Sequence, residues 1–455
     1  MTLIDELTAL LPARGVVTDP DVMASYRHDR AQPVTAGTPS AVAFPTTTEQ
    51  VAGVMRIATA RRTPVVVRGA GSGLAGAANA VDGGIILCTE RMDRRLDLDP
   101  DDQTATVDPG VINAEVSRAA AGFGLFYPPD PASHTFSTIG GNVATNAGGL
   151  CCVRHGVTRD HVLGLEVVLA DGTTIETGRT TIKGVAGLDL TGLIVGSEGT
   201  LGIVTRATLR LRPAPDGAAT AVAYFPTLGA AGDAVTRIVA SGAILSLVEI
   251  MDRASVAVVD DWGHFGLDRE AAALLLLQSD EPTPLRGAIV ERAAALCDAA
   301  GATSTFFTDD PLEADALLQA RRSVASAIEA LPSAGVLHED VAVPRSRICD
   351  MIAAVEEIGI RHDVRTLTFG HAGDGNLHPL LLGEDPESFE RAIRAFDDVL
   401  SAALELGGTI TGEHGVGRVK RHFLEREVGV ANLSLQRRLK ETFDPHRLLR
   451  PDGWI

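Results

Sequence analysis

Two histidines and a Glu-His pair in the last quarter of this 455-residue chain have the types and spacing to do chemistry. His371 and His378 flank Ala372-Gly373-Asp374-Gly375-Asn376-Leu377. Asp374-Gly375 between two apolar runs predicts a two-residue hairpin turn. The cross-strand pairs then run 373 with 376, 372 with 377 and 371 with 378. Both imidazoles would share a face with Cβ atoms about 5 Å apart, close enough to share a metal. Alone, such a pair is more often structural. Glu413-His414 adds to it, set in Gly407-Gly408-Thr409-Ile410-Thr411-Gly412-Glu413-His414-Gly415-Val416-Gly417, read as a strand entering a tight turn where bulky polar residues have no packing role. Two imidazoles and a carboxylate around an open position are the ligand set of a catalytic divalent ion, most naturally Zn²⁺. A hydrogen-bonded core network of His and Glu is the other reading of the same residues.

A second group of signals lies in the first half. Gly71-x-Gly73-x-x-Gly76 follows the strand-like run Pro64 to Arg68, with Asp93 about 20 positions on, so the letter of the dinucleotide fingerprint is met. Its context is wrong, because Asp82-Gly83-Gly84 cuts off Ala77-Ala78-Asn79-Ala80 before a crossover helix can form. What survives is a freely turning loop, Arg68-Gly69-Ala70-Gly71-Ser72-Gly73-Leu74, whose N–H groups could form a nest for an anion. Further glycine-rich stretches accompany it: Pro128-Pro129-Asp130-Pro131-Ala132-Ser133 leading to Thr138-Ile139-Gly140-Gly141-Asn142, then Thr145-Asn146-Ala147-Gly148-Gly149, then Glu198-Gly199-Thr200-Leu201-Gly202-Ile203. Several such segments suggest backbone converging on one long, phosphate-bearing ligand.

The elements that must position these groups fall into two regimes, divided near Pro213-Ala214-Pro215-Asp216-Gly217. Before it, short β-rich runs alternate with glycine turns, and one helix opens at Pro45, Thr46 and Glu49 in capping-box spacing and runs through Val51, Val54, Met55 and Ala58. After it come longer Ala- and Leu-rich helices, one opening at Asp310-Pro311 toward Leu331 and one from Asp385-Pro386 to Gly407-Gly408. The expectation is an α+β fold with segments 1–36, 37–216 and 217–455. Lys and Arg number 40 against 59 Asp and Glu, a net charge of −19 that leaves no basic surplus for nucleic acid. No apolar run, Ala271 to Leu277 included, approaches the roughly 20 residues of a membrane span. Met1-Thr2-Leu3-Ile4-Asp5-Glu6 lacks the pattern of an export signal, so a cytoplasmic protein is expected. Cys88, Cys151, Cys152, Cys297 and Cys349 match neither a disulfide framework nor an iron–sulfur spacing.

Taken in order, Arg-Gly-x-Gly-Ser-Gly-Leu, Pro-Pro-Asp-Pro-x-Ser, Thr-Ile-Gly-Gly-Asn, Asn-Ala-Gly-Gly and Gly-Ser-Glu-Gly-Thr-Leu-Gly-Ile-Val-Thr resemble the FAD domain of the vanillyl-alcohol oxidase and p-cresol methylhydroxylase superfamily. The branch most resembled holds the FAD-linked D-lactate dehydrogenases and the glycolate oxidase catalytic subunit, and the similarity runs through nearly the whole chain. It implies a two-part glycine-rich FAD domain followed by an α+β substrate domain with an antiparallel sheet. It further implies FAD held by the glycine stretches named above, noncovalently, because Ser72 stands where some relatives carry a flavin-linking His. By the same resemblance His371, His378 and Glu413 are ligands of a divalent ion (Zn, with Mn or Fe as options) and His414 is the catalytic base. Oxidation of a small D-2-hydroxy acid would send a proton to His414 and a hydride to flavin N5.

A carboxylate substrate calls for a planar cationic fork. Arg321 and Arg322 point about 100° apart on their helix; the resemblance selects Arg321, and Arg322 is read as a solvated surface charge. Asn376 and His338 complete the implied substrate contacts. Hydroxyglutarate-oxidising relatives typically carry Thr, Lys and Asn where this chain has Ala325, His338 and Leu380, which favours D-lactate or glycolate over D-2-hydroxyglutarate. The ending Leu449-Arg450-Pro451-Asp452-Gly453-Trp454-Ile455 departs from the usual Asn-Pro-Gly. Electrons would leave to a separate acceptor, whether a quinone, a cytochrome, an electron-transfer flavoprotein or an iron–sulfur subunit; a homodimer and a peripheral membrane association through that partner are allowed for. Two other classes compete: an alkylglycerone-phosphate-synthase-like ether-lipid transferase, disfavoured by the acidic chain without an amphipathic anchor, and a non-catalytic flavin-binding subunit, which would not need the histidines and Glu-His pair.

Overall fold

A computed structural model describes residues 1–181 and 183–455. The chain forms two units: residues 1–149, 156–214 and 413–455 make the first, and residues 150–155 and 215–412 the second. This division differs from the segments expected from sequence. The first 36 residues are no separate segment, because Leu7 is fully buried in one core with Val51, Val54, Met55 and Leu449. The last 43 positions, 413–455, return to the first unit instead of completing the second.

The first unit is built on a four-stranded and a five-stranded sheet, with a two-stranded pair, Leu125–Phe126 with Arg212–Pro213, besides. In the four-stranded sheet the order is Val16–Val17, Ala41–Ala43, Ile85–Cys88, Val65–Arg68, with the last three strands parallel. No helix lies between Val65–Arg68 and Ile85–Cys88; residues 69–84 cross over as loop, which confirms that the fingerprint there is not of the Rossmann kind. The preceding helix is Thr48–Arg61, and its N-cap is Thr47, whose side chain accepts from Gln50 N, one residue later than the capping box expected from Thr46 and Glu49. Thr46 instead donates its N–H and hydroxyl to Gln50 Oε1. The second, five-stranded sheet is antiparallel, in the order Leu96–Asp99, Thr104–Val107, Ile203–Arg210, Val162–Val168, Thr174–Gly178. The chain's last stretch is pinned here by a buried cation: Lys440 Nζ donates to Thr200 O, Leu449 O and Asp444 Oδ2 at 2.6–2.7 Å. Burial pushes that ammonium below its usual pKa, and the Asp444 carboxylate opposes the shift.

The second unit carries an eight-stranded antiparallel sheet in which Ala273–Ser279, Leu247–Asp252, Arg365–His371, Asn376–Gly383 and Gly335–His338 lie side by side. Alternate residues of these strands, among them Leu247, Met251, Leu367, Phe369, Leu380 and Leu382, share one face with Leu318, Val324 and Ile328 of the covering helices. The helix from Pro311 ends at Arg322 and resumes as Val324–Glu329, so the element expected toward Leu331 is broken at Ser323. Pro386–Glu405 matches its expected start and stop.

Asp252 ties helix to sheet: Oδ1 accepts from Ser255 N at the start of Arg253–Gly263, and Oδ2 accepts from Thr368 N at 2.8 Å. Burial raises its pKa from 3.8 to about 6 against the pull of those hydrogen bonds. The folded state therefore binds the proton more tightly than the unfolded chain does. The stability it contributes is full below the unfolded value and is lost as pH rises through about 6. A difference of roughly two pH units corresponds to on the order of 3 kcal/mol. Urea unfolding between about pH 4 and 7 should show this falling limb in the wild type and a flatter one in Asp252→Asn; identical slopes in both proteins would exclude the assignment.

Candidate functional site

In the second unit the 371–378 hairpin differs from its expected register. His371 pairs with Asn376 and Phe369 with His378, so Ala372-Gly373-Asp374-Gly375 together form the turn and the pairing is displaced by two residues. A displacement of two preserves side-chain parity, whereas one residue would have sent every side chain to the opposite face. His371 and His378 therefore still share a face as diagonal neighbours, with Nε2 atoms 3.3 Å apart.

The neighbouring strand supplies what sequence reasoning missed. Glu249 sits opposite His371, 1% exposed, in a strand whose residues are all buried. Its Oε1 lies 2.7 Å from His371 Nδ1, and its Oε2 accepts from Arg321 Nε at 2.7 Å. The signal available in the sequence was a carboxylate inside the apolar run Leu-Val-Glu-Ile-Met; such a charge must find partners if that run is buried. With Nδ1 engaged by Glu249, His371 presents Nε2 toward His378, the arrangement by which a carboxylate orients a metal-binding imidazole. Two nitrogens bound at about 2.05 Å to a tetrahedral ion lie about 3.3 Å apart, and the two Nε2 atoms have that separation. The same distance also suits one ring's N–H donating to the other's lone pair.

Asp340 is a second buried carboxylate absent from the sequence reading, fully enclosed. It accepts from Asn376 Nδ2 at 3.0 Å, Thr411 Oγ1 at 2.7 Å and Gly412 N at 2.8 Å, and stands 3.8 Å from His378 Nδ1. A Cβ on Gly412 would come 1.8 Å from Asn376 Nδ2, so only glycine fits this approach. Asn376 keeps Oδ1 as a buried acceptor with no donor among the described residues. Glu413 and His414 are the next two residues along the chain and lie in a bend; the strand expected there is reduced to a single bridge between Thr409 and Ala342.

Arg321 is buried, with its guanidinium 4.9 Å from the Phe369 ring centroid, while Arg322 is exposed beside Asp315. Arg321 thus faces the cluster, and part of its hydrogen-bonding capacity is taken by Glu249. His338 pairs with Leu380, which places it on the face of Asn376 and His378.

In the first unit the glycine stretches do come together. A Cβ on Gly69 would meet Thr138 Oγ1 at 2.3 Å, one on Gly149 would meet Asp130 Oδ1 at 2.5 Å, and one on Gly199 would lie 3.6 Å from Val67. The amides of Ala70 to Leu74 donate to no acceptor among the described residues and are half-buried, as an anion nest requires. Gly71 holds a φ of +71°, packed against the Arg68 guanidinium.

Other residues of these stretches are committed internally. The helix Ile139–Thr145 has its first amides spent: Ile139 N on Val111 O, Gly140 N on Pro109 O and Gly141 N on Thr138 Oγ1. Asn142 is tied to Asn113 and Ser137, and Thr145 Oγ1 bonds Gly141 O. The Glu198 carboxylate accepts from Val416 N, Gly417 N and Arg450. Gly202 packs on Val167, and Ile203 is wholly in the core. These side chains and the opening amides of the helix tie the turns to one another. Pro129, Asp130, Ser133, Asn146 and Gly148 lie in the same converging turns; Asn146 closes the Ile139–Thr145 helix in the left-handed conformation.

The chain matches the model described as FAD linked oxidases, C-terminal domain, over residues 214–453, and the FAD binding domain over residues 39–178. It is 42% identical over 428 residues to the glycolate oxidase subunit GlcD of Bacillus subtilis, covering 94% of this chain and 91% of that protein. It is 34% identical to a D-lactate dehydrogenase of Archaeoglobus fulgidus, covering 99% of this chain and 98% of that one. Among solved structures, p-cresol methylhydroxylase with substrate bound superposes with a TM-score of 0.81 at 18% identity, covering 99% of this chain and 96% of that one. An alkyldihydroxyacetonephosphate synthase superposes with a TM-score of 0.76, also at 18% identity, covering 98% of this chain and 84% of that one. The last two likenesses speak for the fold alone.

Removing Glu249 leaves the Arg321 guanidinium buried without its partner, and Glu249→Ala should lose about 3–5 kcal/mol of stability. Glu249→Gln combined with Arg321→Met should recover most of it in urea titrations. A single Glu249→Ala as stable as wild type would show that the pair does not organise this face.

Proposed function

Starting from a chain that belongs to the FAD-linked oxidases, oxidoreductases of the glycolate oxidase and D-lactate dehydrogenase type, we propose that it oxidises a small D-2-hydroxy acid, D-lactate or glycolate in kind, to the 2-oxo acid. The reading is carried by the Glu249–His371–His378 arrangement, a carboxylate-oriented imidazole facing a second imidazole at ligand–ligand spacing. We assign His371, His378 and Glu413 as the ligands of a divalent ion and His414 as the base, the roles that the family resemblance gives them. Gly412 is held by Asp340. When bound, the ion would supply polarisation of the substrate hydroxyl and FAD would supply hydride acceptance.

The chain's own residues do the rest. His414 takes the hydroxyl proton as a neutral imidazole. Arg321 holds the substrate carboxylate through the guanidinium nitrogens that Glu249 leaves, and Asn376 Oδ1 accepts a hydrogen bond at the same face. Beyond His338 the row continues as Leu380, Leu382 and Val336, all apolar, which suits a short acid and offers a second carboxylate only His338. The Ala70 to Leu74 amides receive the cofactor's pyrophosphate, and Ser72 leaves the flavin noncovalent. Electrons then pass to a separate acceptor.

Anaerobic mixing with D-lactate, L-lactate, glycolate and D-2-hydroxyglutarate should bleach the oxidised flavin band with a short D-acid or glycolate. Chelation should abolish the bleaching and added Zn²⁺ restore it, while His414→Ala should slow flavin reduction by about 10²- to 10⁴-fold. If no hydroxy acid bleaches a preparation loaded with FAD and metal, the proposal is wrong; preferential bleaching by D-2-hydroxyglutarate would overturn only the chain-length reading.

A further inference from the structure

Arg450 is a buried cation that the chemistry above leaves unused. It is 2% exposed, and its Nη1 donates to Glu198 Oε2. Nε and Nη2 are buried with no acceptor among the described residues. Those two nitrogens occupy one edge of the guanidinium, the fork that grips two acceptor atoms at once. A buried donor without an acceptor costs about 1–3 kcal/mol, and more when charged. Such an edge calls for a ligand.

Its surroundings, all within the first unit, say which. Arg450 N donates to Val65 O and Val65 N to Leu448 O, both at 2.8 Å, so the tail runs beside the strand that ends in the 69–74 loop. The Glu198 carboxylate also receives Val416 N and Gly417 N, and Arg418 N donates to Ala75 O just past that loop. Asp29, whose Oδ2 lies 3.5 Å from a Cβ built on Gly73, feels the charges of both Arg450 and Arg68. Arg450 therefore stands with Arg68 behind the loop whose amides are unspent, in a chain whose net charge is −19.

We propose that the free edge of Arg450 binds FAD by gripping a pair of its acceptor atoms, so that the divergent tail is part of the cofactor site. This rests on the FAD reading of the first unit. It adds a residue that none of the glycine motifs contains.

Arg450→Met alone would strand the buried Glu198, so the test uses Glu198→Gln with Arg450→Met, and separately Arg450→Lys. FAD is stripped and titrated back by fluorescence quenching, and the midpoint potential of the reloaded flavin is measured with reference dyes. The double variant should bind FAD about 10- to 100-fold more weakly, with Arg450→Lys in between and apoprotein unfolding near that of wild type. A potential displaced to more negative values would place the edge on the flavin ring; weaker binding at an unchanged potential would place it on the pyrophosphate. Wild-type affinity and potential in the double variant would overturn the proposal and leave Arg450 as a clamp for the tail. A wild-type chain that fails to bind FAD at all would instead sink the cofactor reading beneath it.

Discussion

A carboxylate that cannot be left alone organises the second unit. Glu249 is sealed in the middle of a sheet, where an uncompensated charge is costly enough to unfold a domain. It is satisfied from two directions, by the imidazole of His371 and the guanidinium of Arg321. These partners come from different elements, a hairpin strand and a helix more than 40 positions earlier, so burying Glu249 fixes both at once. The ring of His371 is thereby turned with Nε2 toward His378, and Arg321 is drawn off the helix surface onto the ring of Phe369. Asp340 repeats the device: it gathers Asn376, Thr411 and Gly412, and so sets where the chain leaves the second unit. In both cases one buried carboxylate fixes groups from different stretches of the chain, which is how supporting hydrogen bonds give a set of side chains its precision.

The first unit solves the complementary problem of leaving donors unspent. Most amides of its glycine stretches have partners, and the short helix after Thr138 has none of its opening amides to offer. The run from Ala70 to Leu74 has five consecutive amides with no acceptor among the described residues, and Arg68 packs against Gly71 within it. Glycine at 71 is required twice, by a left-handed φ and by the guanidinium occupying the place of a side chain. The loops that read in sequence as equivalent therefore differ in how many of their donors the protein itself has spent.

Much of this was legible from residue order, and the failures have definite causes. The hairpin was identified by Asp374-Gly375, but a four-residue turn replaced the two-residue one; parity survived because strand periodicity is two, and with it the shared face of the histidines. Rejecting the dinucleotide fingerprint required only the missing crossover helix. Glu249, Asp340 and the Glu198–Arg450 pair were invisible because their roles depend on partners 72, 36 and 252 positions away, and no local pattern encodes such a distance. The side chains of Glu198, Asn142 and Thr138 make hydrogen bonds within the protein, and a motif does not say which of its atoms are spent in that way. The return of 413–455 to the first unit was hidden for a similar reason: the compositional change near Pro213 marks where the chain leaves that unit, and nothing in composition marks where it comes back.

That return explains why the tail is more than an ending. Val65 pairs with Leu449, and Lys440 is buried with its three donors on Thr200, Leu449 and Asp444. A lysine is among the residues least often enclosed, and here it is held only because two backbone carbonyls and a carboxylate replace its water. One of those carbonyls belongs to the loop after Glu198 and another to the tail, so the cation fastens the tail to the loop at the residue before Arg450. The order of the chain then has a physical consequence: Glu198 can accept the amides of Val416 and Gly417 and the guanidinium of Arg450 only once the final 40 or so residues have been laid down. Loss of the tail would strip the carboxylate of its donors in a buried place, and the loop that carries it could not hold its conformation, with φ of +53° at Glu198 and +72° at Gly199, against that unpaired charge.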